Sequence, residues 1–243
     1  MPISHSLRIP LVAFCIALCC CTKTLAGELK PYVAQYKSVV SGFSVDLHRE
    51  FARDGAQYSV SMKMKKLFFG IKENSDFEID QDGIVKAISY SHIRSGASNR
   101  HNTHLQFDWS ANHVSDLLIK NHVPLNVDFP TYDKLSYQPQ FRLDLITKPL
   151  AQRYEYQLAS YKRVKLYAYD FVAEETIETP LGKLRTLKFE RDHGAKKREN
   201  FIWFAKDWDY LVARIDYIDK PGSKPDRLLI QSATIEGKPV AGL

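Results

Sequence analysis

Apolar and polar residues alternate one for one along much of the chain, the period of a β-strand with one buried face. Tyr58, Val60, Met62 and Met64 alternate with Ser59, Ser61, Lys63 and Lys65. Phe43, Val45 and Leu47, then Phe51, do the same ahead of Asp54 and Gly55. An Asp-Gly turn between two such runs predicts a hairpin over residues 43–67. Phe77 and Ile79 lead into a second turn at Gln81, Asp82 and Gly83, and strand character resumes from Ile84 to His92. Leu105, Phe107 and Trp109 alternate with Gln106 and Asp108, and Tyr154, Tyr156 and Leu158 repeat the pattern. Further strands are expected at 164–170, 184–190, 201–204, 213–217 and 228–233. Turn signals every ~8–14 residues are the spacing of an antiparallel meander that curls into a barrel or sandwich.

One stretch departs from the alternation. Between Pro130 and Thr147 the apolar residues Tyr137, Phe141 and Leu145 recur every fourth position. That spacing predicts one short helix, with Ser136 as its cap and Pro139 tolerated in its first turn. The fold class expected is therefore mainly β, a single antiparallel curved sheet or open barrel with one short helix. No Pro/Gly/Ser-rich linker divides the chain, so residues 27–243 are expected to form one domain.

The first 26 residues follow another logic. Arg8 stands in a segment without acids, Leu11 to Cys21 is apolar, and Thr24 and Ala26 occupy the −3 and −1 positions of a small-residue cleavage site. This is the layout of a secretory leader cleaved after Ala26. The rival is a lipoprotein leader acylated at Cys19, Cys20 or Cys21, but the residue ahead of each is Leu or Cys rather than a small one. All four cysteines lie in this leader. Its removal excludes disulfides, a thiol nucleophile and Cys-ligated zinc from the mature protein.

Of the 243 residues, 44% are hydrophobic and 26% charged, the balance of a folded chain. No apolar run after residue 26 approaches the ~18–20 residues of a spanning helix. The formal charge is +6, and Arg8 and Lys23 leave with the leader, so the remaining excess is small. Its one dense cluster, Lys196, Lys197 and Arg198, adjoins a turn signal and reads as a solvated hairpin tip, with anionic lipid or a polyanion as the functional alternative. No basic, aromatic-interleaved motif points to nucleic acid.

Motifs of catalysis are missing: no nucleophile elbow, phosphate-binding glycine loop, zinc-protease helix or dinucleotide fingerprint occurs, and no cofactor is expected. His101 and His104 stand three apart and would diverge on a strand, which argues against a metal pair. Glu175 and Glu178 diverge likewise, and with Glu174 they read as surface charge.

The motif content resembles one family. Tyr132, Asp133, Lys134, Leu135 and Ser136, with Arg142 six residues on, resemble the D-x-L-S…R signature of the DUF3108 family of bacterial envelope proteins. Residues 175–182, running Glu, Thr, Ile, Glu, Thr, Pro, Leu, Gly, are similar to its E-x-I-x-T-P-L-G turn, and Thr186 to Lys188 continue it. Trp203, Asp207, Tyr210, Leu211, Arg214 and Ile215 fall on its closing W-x-x-x-D…Y-L-P-V-R-I pattern, with Val212 where proline is usual. Tyr32 to Tyr36 fit its opening strand. The resemblance implies an exported or periplasmic β-rich protein, with an architecture akin to the open barrels of lipoprotein carriers.

The function expected is a non-catalytic envelope protein that binds an apolar or amphipathic ligand, such as a lipid, or an envelope protein partner. Its ligand-facing candidates are Phe43, Met62, Met64, Phe107 and Trp109, because aromatic and thioether side chains adapt to flexible chains. Arg142 and Arg214 are candidate anchors for an anionic head group, against a structural role in which Arg142 pairs with a nearby carboxylate. The alternatives are a periplasmic hydrolase of cell-wall or polysaccharide substrates using acids such as Glu175 and Asp207, and a structural interaction module.

Overall fold

The alternating segments pair mostly with their neighbours in sequence, the pairing that needs only short turns. The computed structural model describes residues 28–243 except 41–42, 67–68, 97–101, 126–128 and 161, and excludes the side chains of Val40, Phe43 and Lys66. The segment expected to be a leader, with its expected cleavage site after Ala26, lies outside the described residues, as does His101.

Eight strands run up and down from the start: β1 (Tyr32–Val40), β2 (Phe43–Asp54), β3 (Gln57–Lys66), β4 (Phe69–Ile79), β5 (Val85–Ser95), β6 (Thr103–Asp108), β7 (His113–Asp116) and β8 (Asn121–Pro124). The chain then makes β9 (Thr131–Tyr132), the helix α1 (Tyr137–Thr147) and β10 (Arg153–Ala159). A second meander follows through β11 (Val164–Thr179), β12 (Gly182–Asp192), β13 (Glu199–Ala205), β14 (Leu211–Ile218) and β15 (Asp226–Ile235), with the short β16 (Lys238–Pro239) on β15. β1 pairs antiparallel with β15, which joins the two meanders into one sheet of sixteen strands that does not close. The predicted hairpin is β2 and β3, turning at Gly55 with φ 60°.

The exception to antiparallel pairing is instructive. β9 pairs parallel with β10 through Leu158 opposite Tyr132. A parallel pair needs a crossover, and α1 is that crossover.

The sheet wraps the helix so fully that every residue from Tyr137 to Leu145 is buried. Phe141 is the hub. Its ring centroid lies 4.7 Å from Phe204, 4.9 Å from Tyr154 and Phe189, and 5.2 Å from Tyr156. The first meander has its own ring column, in which Phe51 stacks on Tyr32 and Tyr58, each at 5.7 Å. Aromatic burial of this kind drives the fold through area removed from water.

A helix without a solvent side must satisfy its polar side chains internally. Gln140 accepts from the Val85 N–H at 2.7 Å and donates to the Gly83 carbonyl at 3.2 Å, plugging the β4–β5 turn. Gln138 accepts from Arg49 Nη1 at 2.5 Å. Asp144 accepts from the Tyr156 hydroxyl at 2.9 Å and from Lys148 Nζ at 2.7 Å.

Ser136 stands at the N-cap position as expected, but its side chain makes no capping bond to the helix; it closes the preceding turn with Asp133 instead. Asp133 Oδ1 accepts from the N–H groups of Leu135 and Ser136, while Ser136 Oγ accepts from the Asp133 N–H at 2.9 Å. Asp133 Oδ2 takes the Ser75 hydroxyl at 2.7 Å, pinning the turn to β4. The aspartate is fully buried, which pushes its carboxyl upward, and the hydrogen bonds it accepts from Ser75, Leu135 and Ser136 work against that push.

Candidate functional site

Beside the helix start two hollows open, and the exposed Lys134 side chain is common to both. The larger, of about 240 Å³, is walled by Leu158, Ile202 and Ile215 together with the rings of Tyr137, Tyr167 and Tyr169. Arg191 and Asn200 complete it. Strand alternation places these groups: Ile202 on β13 sits opposite Ile215 on β14, and Arg191 follows Phe189 by two on β12 and so shares its inward face. Arg191 holds its guanidinium carbon 3.3 Å from the Tyr167 ring centroid, a cation–π contact that fixes its direction. Tyr169 donates to the Tyr137 hydroxyl at 3.1 Å, and burial pushes both phenols above their ordinary range. The site thus combines an apolar wall, neutral hydroxyls and two cations.

The second hollow, of about 170 Å³, lies across Lys134 against β5 and β6, bounded by Tyr90, His92, Arg94 and Leu105. Arg94 Nε donates to His92 Nε2 at 3.1 Å, which leaves Nδ1 as the proton-bearing nitrogen facing Glu73 Oε1 at 2.8 Å. The Tyr90 hydroxyl donates to the other Glu73 oxygen at 3.0 Å. Burial raises the Glu73 carboxyl, but these bonds outweigh it and hold the group below its usual range.

The sequence-predicted residues are distributed elsewhere. Met62 packs against the core on β3, and neither Met62 nor Met64 lines either hollow. Phe107 and Trp109 stack on each other at 5.9 Å, and the Trp109 indole N–H donates to the Ala87 carbonyl at 2.8 Å. Phe43 opens β2, and its side chain lies outside the description.

Arg142 is 2% exposed. The carboxylate partner expected for it is replaced by a carbonyl and two ring faces: Nε donates to the Asp209 carbonyl at 2.9 Å, with Tyr32 at 5.0 Å and Phe51 at 5.7 Å. Burial lowers its proton affinity, and its two terminal nitrogens have no hydrogen-bond partner among the described residues. Asp209 and Tyr210 both take left-handed backbone, φ 49° and 52°, so Arg142 fastens a strained turn. Arg214 stands next to Ile215 on the other face of β14, pairs with Asp216 and covers Trp203 at 4.3 Å. The two arginines are therefore not brought together.

Glu175 accepts from the Trp203 indole, Asp207 pairs with Arg185, and Glu174 pairs with Lys206. His104 lies on β6, and among the described residues no group of three His, Cys, Asp or Glu gathers to hold a metal. Lys196, Lys197 and Arg198 sit exposed in the β12–β13 turn, as a solvated tip requires.

Neither Lys134 nor Arg191 stands among the residues singled out from the sequence. The signal for Arg191 was its parity with Phe189; Lys134 carried none beyond its place in the turn motif.

The profile of the family described as "Protein of unknown function (DUF3108)" matches residues 32–228. No curated protein matches the chain. Among solved structures, a β-barrel-like protein of the domain of unknown function DUF1849 from Brucella abortus superposes with a TM-score of 0.55 at 8% identity, over 86% of this chain and 99% of that one. That likeness shows a shared fold. A candidate lipoprotein from Parabacteroides distasonis ATCC 8503 aligns at a TM-score of 0.33 and 10% identity, over 86% of this chain and 97% of that one.

Proposed function

This chain belongs to the DUF3108 family, and on that footing we propose that it is a non-catalytic protein of the bacterial envelope that holds an anionic amphiphile beside Lys134. The carrying observation is the larger hollow, where Leu158, Ile202 and Ile215 offer an apolar wall next to the cations Lys134 and Arg191. An acyl chain lies against the wall and its carboxylate or phosphate meets the two cations, an arrangement of mostly apolar lining with few placed polar groups. At about 240 Å³ the hollow falls just under the ~300 Å³ at which drug-sized ligand pockets begin, so it seats a short chain or the head-proximal part of a longer one. The leader read over residues 1–26 supports an exported location for such a task.

Titration with a fluorescent acyl carboxylate tests the reading. Saturable binding is expected, displaced by unlabelled fatty acid and weakened at least about tenfold by Lys134→Glu, because reversing one cation at the head group repels it. Absence of saturable binding in the wild type overturns the proposal.

A further inference from the structure

The turn between β7 and β8 carries Leu117, Leu118 and Ile119 in succession, each more than half exposed. Elsewhere among the described residues the exposed aliphatic residues stand apart in sequence, as Val33, Leu150 and Leu166 do. This tip is held in shape rather than collapsed: the Leu118 N–H donates to buried Asp116 Oδ1 at 2.9 Å, and the Leu117 N–H donates to the His104 carbonyl at 2.8 Å. Three aliphatic side chains are thereby kept in water, at a free-energy cost that burial elsewhere would recover.

Its position gives the tip meaning. His104 lies between Thr103 and Leu105, two residues that line the smaller hollow. Strand register puts the turns that hold residues 117–120, 162–163, 193–198 and 219–225 on one edge of the curved sheet. These four turns contain Lys120, Lys162, Arg163, Lys196, Lys197, Arg198, Lys220 and Lys224, against the single acid Asp219, which pairs with Arg198. On the opposite edge, the turns at 80–84, 148–152, 206–210 and 236–237 hold Asp80, Asp82, Asp207, Asp209 and Glu236 against Lys148 and Lys206. The barrel is polarised, with its basic edge at the end where both hollows meet Lys134.

We propose that this edge seats on an anionic lipid surface, the Leu117–Ile119 tip entering the acyl boundary while the surrounding lysines face the head groups. Apolar insertion and basic attraction are the two signals that together hold a peripheral protein on a membrane. The occupant is committed by charge: a second copy of this chain would bring a second basic edge against the first. Docking does not depend on the ligand reading, since the edge meets a bilayer whether or not a hollow is filled. If both hold, the mouth of the site faces the lipid.

Protein expressed from the full sequence is mixed with vesicles of phosphatidylcholine alone and of equal parts phosphatidylcholine and phosphatidylglycerol. Binding is expected to the anionic vesicles, falling steeply with added salt as the surface charge is screened. The triple variant Leu117→Ser, Leu118→Ser, Ile119→Ser is expected to bind at least about tenfold more weakly, from the loss of inserted apolar groups. A separate Leu118→Trp variant is expected to shift its emission to shorter wavelength on anionic vesicles. Three results overturn the proposal: no binding to anionic vesicles, equal binding by the triple variant, or tip-dependent self-association without vesicle binding. An acyl anchor at the N-terminus would give binding indifferent to the tip and to lipid charge, and that outcome also counts against it. Acyl-probe titration of the same samples reports separately on the ligand reading.

Discussion

Gly182 and Gly242 meet backbone to backbone: a Cβ added to Gly242 would lie 2.5 Å from the Gly182 carbonyl carbon and 2.5 Å from the Lys183 nitrogen. The segment after β16 is laid along the Thr-Pro-Leu-Gly turn, where the Gly242 N–H donates to the Leu181 carbonyl at 2.6 Å and the Leu243 N–H to that of Lys183 at 2.9 Å. The Trp208 indole N–H holds the adjoining Ala241 carbonyl at 3.0 Å. The Thr-Pro-Leu-Gly turn is therefore also a docking ledge for residues 241–243.

Substitution at either glycine should loosen this contact, by different means. Gly182 has φ 102°, so Gly182→Val strains the backbone whatever the space, and destabilisation of about 1–3 kcal/mol is expected. Gly242→Ala keeps an ordinary backbone but drives a methyl into main-chain atoms that cannot yield, so the tail lifts away. A loss of about 1 kcal/mol is expected from the contacts it gives up. Urea unfolding checks both; an unchanged midpoint at an unchanged m-value would sink the ledge.

Much of this fold was legible. The β2–β3 hairpin, the helix beginning at Ser136 and the glycine turn at 182 all follow from local rules: period two, period four and positive φ. What escaped was tertiary. A period of four at Tyr137, Phe141 and Leu145 marks one apolar stripe, whereas Gln138, Gln140, Arg142 and Asp144 are buried as well, because the sheet surrounds the helix. Only the strand edges at Gly83 and Val85 explain why glutamine suits position 140, and no sequence pattern aligns residues 55 positions apart. Arg142 and Arg214 looked like a pair because both belong to motifs; one lies inside the barrel against Asp209 and the other on its outer face against Asp216.

The Asp133 turn separates charge from hydrogen bonding. Asp133→Ala leaves two N–H donors and the Ser75 hydroxyl unpartnered in the interior, and about 2–4 kcal/mol of stability should be lost. Asp133→Asn retains an acceptor at Oδ1 and places an amide donor against Ser75 Oγ, while removing a charge that burial disfavours. It should fall within about 1 kcal/mol of wild type near neutral pH. Thermal denaturation compared across the pair decides it: equal, large losses would mean that the charge itself is required.

Acid stability should draw on Asp216. Burial raises its carboxyl, yet the hydrogen bonds from Arg214 and Arg227 prevail and hold it below the ordinary value. A carboxylate with a lowered folded-state value stabilises fully above its unfolded value, about 3.9, and that contribution fades as pH falls through the folded value. The wild type should therefore lose this stability only below about pH 4, and Asp216→Asn should be less stable at neutral pH while showing a shallower loss in acid. Denaturation midpoints measured from neutral pH into acid would show parallel curves if Asp216 had no such role.

Two substitutions distinguish the hollow the structure presents from the one that the alternating faces of β3 suggest. Met64 lies on β3 and lines neither hollow, so Met64→Phe should leave acyl-probe affinity within about twofold of wild type, a difference under about 0.5 kcal/mol. Ile215 walls the larger hollow beside Ile202 and is only partly buried, so Ile215→Phe adds ring volume where the chain would lie. Filling that space without a compensating contact should weaken the probe by about tenfold while unfolding stays cooperative, the usual tolerance for a larger apolar group at a loosely packed position. The reverse order, with Met64→Phe blocking the probe and Ile215→Phe silent, would move the ligand to the β3 face and away from Lys134. Equal weakening by both would mean that the probe reports on the stability of the whole barrel, and the unfolding midpoints of the two variants would then fall together.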